Sequence, residues 1–160
     1  SSRLILKNSS GKNLKRLNEI ILSKFKKEKV DIKKITILPS NLTREEHLKC
    51  YNKIDLALDT FPYPGVTTTF ESILMGVPVL TKKGFNFVSR CGESINLNFD
   101  MGKFIAKDEN DYIKKAIEIK SKTKLLYKLK LTMRDKFLKS HLFDSKKFTI
   151  DFSNLLKSLF

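Results

Sequence analysis

The run Asp59-Thr60-Phe61-Pro62-Tyr63-Pro64-Gly65-Val66-Thr67-Thr68-Thr69-Phe70-Glu71 gathers residue types that can do chemistry. Pro64-Gly65 supplies a tight turn, and a glycine lets backbone approach a ligand closely. Three threonines follow where a helix is expected to begin. A helix N-terminus exposes unpaired N–H groups and the positive end of the dipole, so it attracts anions. The hydroxyls of Thr67, Thr68 and Thr69 can add hydrogen bonds to phosphate oxygens. Threonine is a poor helix-interior residue, which makes three in succession informative. Glu71 falls on the first turn. A carboxylate beside a phosphate site is electrostatically odd unless it bonds ribose hydroxyls, as the acidic residue of dinucleotide sites does. The plainer alternative is that Thr67 or Thr68 caps the helix and Glu71 complements its dipole. These residues alone leave both readings open.

The elements that must position this run alternate in type. Leu4 to Lys7 is a short apolar run, followed by a loop signal at Asn8-Ser9-Ser10-Gly11. Leu14, Leu17, Ile20, Ile21 and Phe25 recur at helical spacing, with Asn13 as a candidate cap. Ile35 to Leu38 is a second strand closed by Pro39. Thr43 and Glu46 form a capping-box pattern that opens a helix from Arg44 to about Lys53. Leu56 to Asp59 is a third strand. A helix from about Thr68 to Met75 ends at Gly76, and Val77 to Leu80 is a fourth strand. Ser89 is a candidate cap for a helix through about Leu97, Phe104-Ile105 a short fifth strand, and Asp108 a cap for a helix through about Lys120. Two amphipathic helices follow, from about Lys124 to Ser140 and from Ser145 to Phe160. Their stripes read Tyr127, Leu131, Phe137, Leu138 and Phe148, Phe152, Leu155, Leu156. They either cover this domain's core or reach towards another domain.

The strands are continuous apolar runs without a polar face, the pattern of a parallel sheet covered on both sides. The expectation is one Rossmann-like three-layer α/β/α domain over 1–160. Ligands of such sheets bind at the carboxyl ends of the strands, which directs attention to the loops after Lys7, Leu38, Asp59 and Thr81.

The formal charge is +15, yet the excess is nearly all lysine: the arginines are Arg3, Arg16, Arg44, Arg90 and Arg134. Specific phosphate and base readout favours the planar arginine fork, and the lysines are spread along the whole chain. This reads as compositional bias, with a nucleic-acid or membrane-binding basic module as the rival reading. Cys50 and Cys91 lack metal-like spacing and suit a reducing, cytoplasmic compartment. No apolar run reaches transmembrane length. There is no Ser-His-Asp grouping, no hydrolase-like carboxylate pair and no metal-ligand spacing. His141 reads as a loop residue and Asp59 as a structural one that bonds the following turn. Arg90 either supports the Gly84 loop or touches a sugar. The start at Ser1-Ser2-Arg3, without Met, suggests a piece of a longer chain.

From Asp59 to Val79 the sequence resembles the signature Asp-Thr-Phe-Pro-Tyr-x-Gly-x-Thr-Thr-Thr-x-Glu-x-Leu/Ile-x-Met-Gly-Val-Pro-Val of the O-linked N-acetylglucosamine transferase family, including its SPINDLY-like members. The flanks agree. Leu4-Ile5-Leu6-Lys7 resembles the strand that opens the family's final domain, and Arg44-Glu45-Glu46-His47-Leu48 its Glu-His motif. Gly84 with Ser89-Arg90 resembles its Gly-x-x-x-x-Ser-Arg element, and Ser140 to Asp144 the run before its last helix.

The resemblance implies the C-terminal half of a GT-B fold, two Rossmann-like domains facing a cleft, with uridine diphosphate held mainly by this half. It implies an inverting, metal-independent transfer from a UDP-sugar, UDP-GlcNAc, to Ser or Thr of a protein, with no cofactor. By position, His47 would contact the uracil ring and Arg44 would lie near the base. Gly65, Val66, Thr67, Thr68 and Thr69 would form the diphosphate turn, and Glu71 would bond the ribose where animal members use Asp. Animal members also carry His where this chain has Val66. The family's phosphate-binding lysine aligns upstream of Leu4, so no catalytic residue is assigned within these residues, and the chain alone is expected to be inactive. The expected partners are UDP or a UDP-sugar, an N-terminal GT-B domain, tetratricopeptide repeats and a protein acceptor, with nucleic acid not expected. A non-catalytic interaction domain on the same scaffold is the remaining alternative.

Overall fold

The computed structural model describes residues 2–7 and 14–160. The loop signal at Asn8 to Gly11 and the candidate cap Asn13 lie outside them. Inside the span that the sequence reads as one domain, the chain groups into two compact units, Ser1–His47 and Leu48–Phe160.

The first unit contains β1 (Leu4–Lys7), α1 (Leu14–Lys27), a short 3₁₀ turn at Ile32–Lys34 and β2 (Ile35–Leu38). β1 and β2 pair in parallel, Leu4 opposite Ile35 through Lys7 opposite Leu38. Parallel neighbours need a crossover, and α1 supplies it. α2 (Arg44–Cys50) starts at the capping box. The Glu46 N–H donates to Thr43 Oγ1 at 3.2 Å, while the Thr43 N–H donates to Glu46 Oε2 at 2.8 Å. Two donors that the helix cannot satisfy are thus satisfied reciprocally. The expected helix to Lys53 stops at Cys50 and tightens into a 3₁₀ turn over Tyr51–Lys53.

The second unit runs β3 (Ala57–Leu58), α3 (Thr67–Leu74), β4 (Val79–Lys82), α4 (Cys91–Asn98), β5 (Ile105–Ala106), α5 (Glu109–Ser121), α6 (Thr123–Leu138) and α7 (Ser145–Lys157). Its sheet has the order β3-β4-β5, parallel throughout. β4 begins two residues later than the apolar run suggests. Gly76, at φ +77, turns the chain out of α3, and Val77 N–H bonds back to Ser72 O at 2.9 Å, so Val77 still belongs to the helix stop. Asp108 caps α5 as expected, accepting from the Asp111 N–H at 2.8 Å.

The core comprises Ile73, Leu80, Ile95, Phe99, Met101, Phe104, Ile119, Met133 and Phe137. Each such large apolar side chain contributes about 2 kcal/mol when fully buried. Phe137 meets Phe99 edge-on at 5.4 Å and Phe143 at 5.5 Å. Of the stripe read in the sequence, α6 buries Phe137 alone. Leu126, Leu129, Met133 and Phe137 face the core, whereas Tyr127 and Leu131 are exposed. The reason is α3, against which α6 packs. Lys130 also turns inward, its Nζ donating to Tyr51 O at 2.7 Å and Ile54 O at 2.8 Å. α7 buries none of its residues, so Phe148, Phe152, Leu155 and Leu156 are exposed.

Candidate functional site

In the second unit the chain leaves β3 at Asp59 and returns at the start of α3. Asp59 continues the ladder, its N–H donating to Leu80 O at 2.9 Å. Its carboxylate then holds the loop: Oδ1 accepts the Gly65 N–H at 2.7 Å, and Oδ2 accepts the Thr81 hydroxyl at 2.8 Å. Burial pushes the Asp59 carboxyl above the usual carboxylate range, opposed by its donors Gly65, Thr81 and Thr60. Within the loop Thr60 Oγ1 donates to Tyr63 O at 2.8 Å, and the Phe61–Pro62 peptide is cis. Phe61 packs edge-on against Tyr112 at 5.5 Å, with the Lys82 ammonium 4.1 Å from its ring centre. The Tyr112 hydroxyl donates to Asp59 O at 2.8 Å, and burial, then the Asp59 charge, raises its pKa.

α3 starts behind this loop with Val66 at the N-cap and no side-chain cap hydrogen bond. Capping by Thr67 or Thr68, the plainer reading, is therefore not what these residues do. Both are exposed at a helix start whose first-turn N–H groups have no intrahelical acceptor. Thr69 differs from the other two. It is buried, and its hydroxyl donates to Gly65 O at 2.9 Å, so its proton is already used inside the loop. That leaves Thr67 and Thr68 as the hydroxyl pair that can meet an anion. At Gly65 the loop packs tightly, since a Cβ there would meet Thr68 Oγ1 and lie 3.0 Å from Thr69 Oγ1, so those hydroxyls would have to move. Glu71, one turn further in, is only 8% exposed. Tyr51 donates from its hydroxyl to Thr68 O at 3.3 Å. Burial, then the Glu71 charge and Cys50, push the Tyr51 phenol up to about 12.

The Gly84 loop corrects one expectation. Ser89 does not cap α4, whose N-cap is Arg90 without a side-chain bond. Its hydroxyl oxygen instead accepts the N–H groups of Phe85 at 3.0 Å and Asn86 at 3.1 Å, closing the turn before the helix. Ser89 lies inside a short 3₁₀ segment, Val88–Arg90, and so stands one residue before the N-cap position. Arg90 turns to the buried Glu93, Nε to Oε2 at 2.9 Å.

In the first unit Arg44 is exposed at the first position of α2, and His47 lies one turn on, half-buried. Lys7, at the carboxyl end of β1, approaches His47 with Nζ 2.9 Å from Nδ1. Sequence reasoning sets Lys7 aside as a strand residue and misses Tyr51, Tyr112 and Glu93. Lys7 does stand at the carboxyl end of a strand, the edge at which ligands of parallel sheets bind. Among the described residues no group of three or more His, Cys, Asp or Glu side chains is arranged to hold a metal ion, and no helix is long and apolar enough to cross a membrane.

This geometry can be set beside known proteins. The sequence profile of glycosyl transferase family 41 matches residues 16–152. A protein of Eustoma exaltatum subsp. russellianum, named "Probable UDP-N-acetylglucosamine--peptide N-acetylglucosaminyltransferase SPINDLY", is 34% identical over 143 residues, covering 89% of this chain and 16% of that protein. The protein of the same name in Arabidopsis thaliana is 31% identical over 130 residues, covering 81% and 14% respectively. A solved mutant O-GlcNAc transferase of Thermobaculum terrenum matches in structure with a TM-score of 0.85 at 26% identity, over 98% of this chain and 30% of that one. The parallel α/β fold is thus that of part of a GT-B glycosyltransferase. The chain belongs to glycosyl transferase family 41. It spans a minor part of the length of these relatives, 16% of the first and 30% of the solved structure.

Proposed function

We propose that this chain is the donor-binding half of an inverting, metal-independent glycosyltransferase that takes a UDP-sugar, UDP-GlcNAc, and modifies Ser or Thr of protein acceptors. The observation that carries the reading is the uncapped N-terminus of α3, with Thr67 and Thr68 exposed at its first two positions, directly after a loop pinned by Asp59. Such an end offers N–H groups and a positive dipole to a diphosphate. In this reading Gly65, Val66, Thr67 and Thr68 receive the diphosphate, Thr69 braces the turn, and Glu71 bonds the ribose hydroxyls. Arg44 and His47 are assigned to the uracil from the family pattern. The names of the relatives, which specify UDP-N-acetylglucosamine and peptide, support the donor and acceptor classes. Charge on the departing diphosphate is neutralised by protein groups, without a metal or other cofactor. An N-terminal GT-B domain and tetratricopeptide repeats complete the enzyme, and the 160 residues alone bind donor without transferring sugar. A cytoplasmic setting belongs to the same reading, in keeping with Cys50 and Cys91 as thiols.

Calorimetric titration of the chain with uridine diphosphate tests this. Saturable binding that weakens in Glu71→Ala and tolerates salt is the expected result. Binding that disappears with salt and ignores Glu71→Ala would favour a basic surface attracting any polyanion, and absence of binding would sink the donor-half reading for this chain.

A further inference from the structure

The Asp59 carboxylate is joined to more of the structure than a turn requires. Closing a loop back on an aspartate needs one oxygen. Here the second oxygen is anchored to the hydroxyl of Thr81 on β4, which is 1% exposed, and the Asp59 backbone carbonyl is held separately by Tyr112. The first oxygen holds the N–H of Gly65, whose own carbonyl receives the Thr69 hydroxyl from the first turn of α3. A continuous chain of hydrogen bonds therefore runs from the floor of the sheet through Asp59 and Gly65 into the helix start. Gly92 makes room for it, since a Cβ there would come within 2.7 Å of Asp59 Oδ2.

A negative charge so near an anion-binding helix end works against anion binding by simple electrostatics. Its presence is accounted for if its hydrogen bonds, not its charge, serve the site. We infer that Asp59 is a positioning residue for the donor diphosphate: anchored by Thr81, it fixes Gly65 and so aims the first-turn N–H groups and the hydroxyls of Thr67 and Thr68. This rests on the donor-binding reading above.

Charge and position make opposite forecasts. Asp59→Asn and Asp59→Ala remove the same charge, so electrostatics alone has both tighten UDP. Asparagine can still accept from Gly65 N–H through Oδ1 and donate from Nδ2 to the Thr81 oxygen; alanine can do neither. The experiment titrates UDP and uridine into the chain and its folded variants by calorimetry, uridine serving as the probe without phosphates. The expected results are UDP affinity in Asp59→Asn equal to or tighter than in the unsubstituted chain, and a loss of about tenfold in Asp59→Ala with uridine affinity unchanged. If Asp59→Ala does not fold, Thr81→Val removes the anchor alone and is expected to weaken UDP by about threefold, again without affecting uridine. A folded Asp59→Ala, or failing that Thr81→Val, that keeps the full gain of UDP over uridine overturns the positioning role while leaving the donor reading intact. An unsubstituted chain that binds UDP no better than uridine overturns both.

Discussion

The Lys7 ammonium meets the imidazole of His47, Nζ to Nδ1 at 2.9 Å, although forty residues separate the two in sequence. An ammonium carries donors and no acceptor. Nδ1 therefore accepts, and the neutral ring holds its proton on Nε2. Nitrogen NMR of the labelled chain at neutral pH is expected to show His47 as the Nε2–H tautomer. The hydrogen bond lies at the surface, so Lys7→Met moves the free energy of unfolding by less than about 0.5 kcal/mol. A mixed tautomer in the unsubstituted chain would refute the assignment.

Gly76 tests how α3 is stopped. Its φ of +77 disfavours any side chain, and a Cβ there would lie 2.7 Å from the backbone oxygen of Lys130 on α6. Backbone cannot swing aside as a side-chain end can. Gly76→Ala is expected to cost about 2–4 kcal/mol in denaturant unfolding, combining left-handed strain with overpacking. Gly102 is the control: a Cβ there meets nothing within 4 Å, so Gly102→Ala should stay within about 0.5 kcal/mol. Equal costs at the two glycines would show that the Lys130 contact does not matter.

What was legible in the sequence was local. The Thr43 and Glu46 capping box, the Asp108 cap and the Gly76 stop each depend on residues within one turn, so their chemistry could be read directly. The Thr-rich start of α3 was legible for the same reason. The division of labour among its threonines was not, because Thr69 is distinguished by a bond to Gly65 that depends on the loop's path. Ser89 shows how a correct residue type can mislead: it closes a turn and does not cap the helix, since it lies inside a 3₁₀ segment that runs up to the helix start. The buried face of α6 depends on where α3 lies, and the second anchor of Asp59 lies 22 residues away on β4. Such partners come from topology, which periodicity alone does not encode.

Lys130 has an alkaline signature. Desolvation lowers its pKa from the ordinary 10.5, partly countered by Asp55. A depressed pKa means that the folded state disfavours the charge. The associated stability is fully present above 10.5 and is lost as pH falls through the folded value. Against this, the Lys130 donors satisfy Tyr51 O and Ile54 O in either protonation state. Lys130→Met leaves both carbonyls without this donor and is expected to cost about 2 kcal/mol at neutral pH. The gap should widen as pH is raised towards 10.5. Denaturant unfolding of both proteins across this range measures it, and a constant gap would show that burial of the ammonium carries no linkage.

Tyr51 gives the opposite sign. Its phenol is raised from 10.0 to about 12 by burial first and by Glu71 second. A raised folded pKa makes the contribution complete below 10.0 and progressively lost as pH climbs through about 12, because the unfolded chain ionises first. Tyr51→Phe removes both the titration and the hydrogen bond to Thr68 O. At neutral pH the variant should be less stable by about 1 kcal/mol. As pH passes 10.0 the unsubstituted chain loses stability that Tyr51→Phe cannot lose, so the difference narrows. Spectrophotometric titration of phenolate in the folded chains provides the independent check: the variant should lack one late-titrating phenol. Glu71→Gln, with Tyr51 retained, should move that titration back towards 10.0 by removing the nearby charge, while leaving the part due to burial. An unmoved titration in Glu71→Gln would mean that the carboxylate assigned to the ribose does not face Tyr51.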